Sequence, residues 1–241
     1  MSLPGHAPEW MRRFYKAVDV AKMEGGFAVR LDGRTPKSPA GRPLVLPTQA
    51  LADLVAADWA AQGENILPDT MLATRLAWAA IGLGEGGGRA AAIERLTSFA
   101  GSDLLCYFAD GPPTLVERQE RQWGPLVTWA ERELGAGFNR TQGIVHRPQP
   151  DATLAAVRAV AEAEDDFALA GLAAAAALLG SAILALALRR GQLTADAAFV
   201  LSRLDESFQE ETWGVDAEAE KRAVEMAAQA VMLERWFAAL G

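Results

Sequence analysis

Residues 167–190 read FALAGLAAAAALLGSAILALALRR, and the first 22 of them, Phe167 to Leu188, carry no charge. As one helix this run is long enough to cross a bilayer. Ten of the 22 are alanine, however, which contributes little to insertion beside leucine or phenylalanine. The larger residues Leu169, Leu172, Leu179, Ile183 and Leu186, with Ala176 filling the gap, recur in alternating steps of three and four. Small residues mediate packing in membranes as well, but no second span accompanies this one. The stretch predicts a central helix over 165–190, surrounded by other helices of a bundle.

Working outward, residues 13–46 are different in kind. Short alternating apolar runs are broken by Glu24-Gly25-Gly26, Asp32-Gly33 and Ala40-Gly41, which is turn chemistry. Strands are predicted near 13–20, 26–31, 36–39 and 43–46. Pro47-Thr48 then opens a helix with Leu51, Leu54, Val55 and Trp59 on its apolar side. Helical periods follow in TMLATRLAWAAIGLG (70–84), in RAAAIERLTSFAGSDLLCYF (89–108) and in TLVERQERQWGPLVTWAEREL (114–134), the last with a kink expected at Gly124-Pro125. A loop over 135–150 leads to helices near 151–164, 165–190 and 194–213, and Asp216 is placed to N-cap a final helix. The expected class is α+β: a small β-rich α/β unit over 1–80, then a larger all-helical domain over 81–241.

A chain of 241 residues with 51% apolar side chains can bury a sizeable core. Its net charge of −8 argues against nucleic acid as a partner. Residues 1–48 hold eight cations against four acids, so the rest of the chain carries the whole negative excess. One cysteine, Cys106, rules out an intramolecular disulfide and fits a reducing compartment. The segment MSLPGHAPEWMRRFYKAV lacks an apolar core of signal-peptide length, which predicts that the protein stays where it is made.

The densest charge lies in LSRLDESFQEETWGVDAEAE (201–220), with seven carboxylates against Arg203 alone. On a helix, Leu201, Leu204 and Phe208 share a face, Asp205 and Thr212 edge it, and Glu206 and Glu210 point away. Gly214 is placed to end that helix. Carboxylates on two faces do not converge on one ion, and no histidine stands near, so no metal is expected. A solvated acidic face, a docking surface, and the paired acids of a carboxylate-based hydrolase using 205–220 all remain open here. Other catalytic material is scarce. Cys106 sits in an apolar context, His6 and His146 in a tail and a loop, and the glycine run at 82–88 lacks the Lys-Ser/Thr of a P-loop. No catalytic residue is assigned. Trp59, Trp78, Trp123, Trp129, Trp213 and Trp236 fall on helical segments and are expected in the core.

Three blocks together carry a resemblance. GGFAVRLDGRTPKSPAGRPLVLPTQALADLVAADWAAQ (25–62) resembles the N-terminal signature of the assembly chaperones for the α subunit of F-type ATP synthase. SDLLCYFADGPPTLVERQERQWGPLVTWAE (102–131) is similar to that family's second block, and residues 201–220 to its C-terminal block, in the same order. The resemblance implies a soluble chaperone of the bacterial cytoplasm, with relatives in the mitochondrial matrix, monomeric when free and holding the α subunit until the β subunit replaces it. It implies no enzymatic activity and no cofactor, ATP included. The family's important acidic position falls at Asp205 or Glu206, and Trp59 maps to a structural tryptophan. The expected partner-binding residues are Asp205, Glu206, Gln209, Glu210, Trp213 and Asp216, with Gly214 structural.

Overall fold

The computed structural model describes residues 11–84, 86–143, 145–214 and 216–241; His6 lies outside them. A hairpin forms from β1 (Val18–Met23) and β2 (Gly26–Leu31), with Met23 opposite Gly26 across a two-residue turn. β3 (Val45–Leu46) adds to the other side of β2, giving an antiparallel sheet in the order β1-β2-β3. The strand expected at 26–31 is in place, but its neighbours are shifted or shortened. Residues 11–13 leave the sheet because they bond to the 62–66 loop, where Arg13 N donates to Glu64 O at 2.8 Å and Ile66 N to Met11 O at 2.8 Å. The strand expected at 36–39 is reduced to an isolated Lys37–Pro43 bridge. Pro36 and Pro43 have no N–H to give a ladder, and Ser38 N turns back to Arg42 O at 2.7 Å.

α1 (Gln49–Ala60) begins on Thr48, whose hydroxyl oxygen accepts from Leu51 N at 3.1 Å, and packs Leu51, Val55 and Trp59 against the sheet. α2 (Leu72–Leu83) and α3 (Gly88–Gly101) follow. α3 stops short of the helix expected to reach Phe108. Residues 104–106 form a 3₁₀ turn, and β4 (Tyr107–Phe108) pairs in parallel with β5 (Thr141–Gln142) in the long loop. α4 (Pro113–Leu134) runs through Pro125 as one element. Then come α5 (Asp151–Ala163), α6 (Asp166–Leu179), α7 (Ala182–Arg189), α8 (Ala195–Ser202), α9 (Leu204–Trp213) and α10 (Ala217–Leu240).

Two of the expected helices are therefore two helices each. The run at 165–190 breaks where Gly180 takes φ 68° and Ser181 is extended. The cause lies 78 residues away in sequence. Asp103, with no exposed surface, accepts from Ser181 Oγ at 2.6 Å and Ile183 N at 3.0 Å, so it caps the start of α7 together with Ser181 itself. With 14 residues, α6 is only about 21 Å long, too short for a hydrocarbon core of about 30 Å. Among the described residues, no helix is long and apolar enough to cross a membrane. The second break is at Arg203, between α8 and α9. There Trp123 Nε1 donates to Leu201 O at 3.0 Å, a carbonyl that a continuing helix would have used.

The predicted seam is buried throughout, but the break divides it. Leu169, Leu172, Ala176 and Leu186 join a cluster with the sheet, α1, α2, α3 and α10. Leu179 and Ile183 join a second cluster with Trp123, Phe108 and Leu204. Residues on both sides of position 80 contribute to the first cluster.

Candidate functional site

α9 is held by its polar flank as much as by its apolar one. Leu204 is its one fully buried residue among those described, and Phe208 leans on the second cluster. From α4, the Arg118 guanidinium lies over the Phe208 ring at 5.1 Å and forks onto Glu211 at 2.7 and 2.8 Å. That pair holds the Glu211 carboxyl below its ordinary pKa and Arg118 above its own. One turn deeper, Asp205 accepts from Gln119 Nε2 at 2.7 Å. Gln119 has no exposed surface, and its Oε1 accepts from Ala109 N at 2.8 Å. A bonded chain thus runs from the 109 backbone through α4 to the start of α9. Burial raises the Asp205 pKa, the Gln119 hydrogen bond opposes that, and the neighbouring Glu206 charge adds to the rise.

The other acids go to different places. Glu210 pairs with Arg203 at 2.5 Å, and both side chains are mostly buried, at 27% and 16% exposure. Asp216 accepts from Ala219 N at 3.3 Å and caps α10, as its position predicts. Glu218 pairs with Arg222 at 2.5 Å. Glu206 is exposed and lines a cleft of about 440 Å³ with Leu178, Arg203, Ala219 and Met226. Among the described residues, no side-chain hydrogen bond or ion pair engages Glu206, Gln209 or Trp213, and no group of three or more His, Cys, Asp or Glu is placed to hold a metal ion.

Trp213 corrects the sequence reading. It was expected in the core with the other tryptophans, yet it is 85% exposed. α9 ends at this residue, Gly214 turns the chain with φ 88°, and its N–H closes the helix on Glu210 O at 2.9 Å. The ring therefore stands past the last packed turn. Trp123 and Trp236 have no exposed surface, and Trp59 has little. Trp59 meets Tyr15 and Trp78 edge-on at 5.7 and 6.3 Å, while its carbonyl accepts from Tyr15 Oη at 2.7 Å. Beside it, Asp58 accepts from Thr74 N at 2.7 Å and starts α2. Sequence reasoning passed over Gln119, although its signal is legible. It lies on the apolar stripe Leu115, Gln119, Trp123, Leu126 and Ala130, and a polar residue there needs buried partners.

Residues 12–131 match the family model described as ATP12 chaperone protein. The whole fold is similar to that of Atp12 from Paracoccus denitrificans, with a TM-score of 0.87 and 41% identity over 96% of this chain and 99% of that one. The chain belongs to the ATP12 chaperone family. An aspartate-to-lysine mutant of the same Paracoccus Atp12 is similar to the same degree, with a TM-score of 0.87 and 40% identity. The Atu1473 protein of Agrobacterium tumefaciens gives a TM-score of 0.89 and 41% identity, over 95% of this chain and 86% of that one. In sequence, the mitochondrial protein atp12 of Schizosaccharomyces pombe is 26% identical over 220 residues, 84% of this chain and 74% of that protein. ATP12 membership agrees with the α+β fold observed, a three-stranded sheet leading into helices.

Proposed function

We propose that this ATP12-family chaperone binds the unassembled α subunit of F-type ATP synthase in the bacterial cytoplasm, covers the apolar face meant for the β subunit, and yields when β arrives. An isolated subunit with such a face is prone to aggregate, and a protein that masks it needs a firm platform presenting exposed apolar surface of its own. The observation that carries the reading is the end of α9. An exposed tryptophan, Trp213, stands beside Gln209 and Glu206, which have no partners of their own among the described residues. The helix beneath is pinned by Asp205–Gln119 and Glu211–Arg118. Aromatic anchors of this kind dominate interface energies, and flanking charges orient the encounter more than they strengthen it.

The test is co-expression of the chain with the α subunit alone. Recovery of soluble α in a stoichiometric complex is expected, and it should be lost with the double variant Glu206→Lys, Trp213→Ser, both positions being exposed. If α precipitates unchanged beside the parent chain, or if the double variant holds α as well as the parent does, the reading fails.

A further inference from the structure

One side of α10 is left open along most of its length. Three clefts follow one another there, of about 480, 240 and 440 Å³. Leu72 and Met232 line both the first and the second, and Leu178 lines both the second and the third, so they form one groove. On the α10 wall the lining positions run from Ala219 to Arg235, about 24 Å of helix at 1.5 Å per residue. The opposite wall passes from α1 to α2 to the end of α6, and then to Arg203 and Glu206. Alanines on both sides, such as Ala57, Ala79, Ala174 and Ala223, line the groove without filling it. The floor is apolar and includes two methionines, Met226 and Met232, whose flexible side chains adapt to a partner.

In the first two clefts the charge runs against that of the molecule. Of the four lining arginines, Arg203 and Arg222 in the third cleft are paired with Glu210 and Glu218. That leaves Arg75 and Arg235 as the open cations of the first two, with Asp58 the one carboxylate lining them, on a protein whose net charge is −8. Asp58 is turned to the α2 backbone. Among the described residues, Arg235 is exposed with no side-chain partner, and Arg75 has one ion pair, a 3.9 Å contact with the exposed Asp69. An apolar channel about 16 residues of helix long, rimmed over its first two clefts by the open guanidinium groups of Arg75 and Arg235, has the form of a helix-in-groove receptor. We infer that this groove takes an amphipathic helix of the client, one whose apolar stripe is flanked by acidic side chains. The inference rests on the proposed function for the source of that helix, and it adds a second contact, continuous with the α9 platform through Glu206.

The test uses the full chain with a photo-crosslinking phenylalanine derivative in place of Ala228, an exposed residue lining the groove, co-expressed with the α subunit; a second chain carries the same group at Glu24, on the far hairpin. The expected result is a crosslink from position 228, and not from 24, to an α-subunit segment with apolar residues at helical spacing and acids beside them. In parallel, the variant Arg75→Glu, Arg235→Glu, with its melting temperature checked, should bind α about ten-fold more weakly at low salt. A crosslink from 228 to residues 1–10 of the same chain, to a second copy, or to a basic or non-helical client segment overturns the inference. So does unchanged affinity of the double reversal. If the parent chain still keeps α soluble in that case, only the groove is lost; if the parent fails to keep α soluble, the proposed function and the groove fall together.

Discussion

Asp103 brings a carboxylate into the interior and spends it on backbone. It accepts from Leu105 N, Ile183 N and Ser181 Oγ, and burial, against those hydrogen bonds, pushes its pKa from 3.8 up to about 6. The folded chain therefore holds this proton more tightly than the unfolded one. Its contribution to stability is complete below about pH 4 and is lost as pH rises through about 6, a swing of up to about 3 kcal/mol. Asp103→Asn turns one acceptor into a donor facing N–H groups, so a loss of about 1–3 kcal/mol at neutral pH is expected. The stability gap between parent and variant should narrow between pH 4 and 6 and be flat above pH 7. Urea titrations of both proteins across that range measure it, and a gap that widens with pH contradicts the assignment. At the opposite extreme, Trp213→Ser should leave the urea midpoint unchanged, because the ring it removes is 85% exposed and packs on no core. A stability loss above about 1 kcal/mol would show that the ring is covered in solution. The place of Asp103 was not legible in sequence, because its partners are remote. That of Trp213 was, since at 100° per residue it falls with Glu206 and Gln209, opposite the face of Leu201, Leu204 and Phe208.

At the scale of elements, most helices and one strand followed from period and caps, because each rule involved is local. Thr48 and Asp216 cap the helices they were expected to cap, and β2 occupies its expected residues. The breaks were less legible. Gly180-Ser181 has the order of a helix stop followed by an N-cap, but within 22 uncharged residues the apolar period hid it until the buried Asp103 gave it a reason. The fit of α10 on α6 depends on another residue the period does not reveal. A Cβ on Gly171 would stand 2.7 Å from Phe237 Cε1 and 3.1 Å from Trp236 Cδ1. Trp236 cannot swing aside easily, since its Nε1 donates to Phe167 O at 3.0 Å and its ring stacks on Phe167, and Phe237 is buried with the Arg189 guanidinium over its ring at 5.7 Å. Alanine is normally the better helix former by about 1 kcal/mol, yet here overpacking of about 1–3 kcal/mol should win. Gly171→Ala is expected to lower the melting temperature, as read by circular dichroism; a rise would mean that α10 sits farther out than described.

For the whole molecule, the question is whether the sheet-bearing part and the helical part stand or fall together. The first core cluster answers at the level of side chains, since it runs from Tyr15 and Val29 through Leu51 and Leu76 to Leu172 and Trp236. α7 joins that cluster to the second one by giving Ala185 and Leu186 to the first and Ile183 and Leu184 to the second. A helix shared in this way cannot leave one core without opening the other, so one cooperative transition is expected in urea. Circular dichroism reports the ten α-helices among the described residues, and tryptophan fluorescence reports Trp59 and Trp236 in one cluster and Trp123 in the other. The two curves should coincide. Leu184→Ala, cut from a side chain with no exposed surface in the second cluster, should shift both midpoints together, by about 2–5 kcal/mol of stability. If fluorescence instead kept a second transition at the parental midpoint after helicity had fallen, the sheet with α1 would be an independent folding unit, and the division near residue 80 would be a true domain boundary.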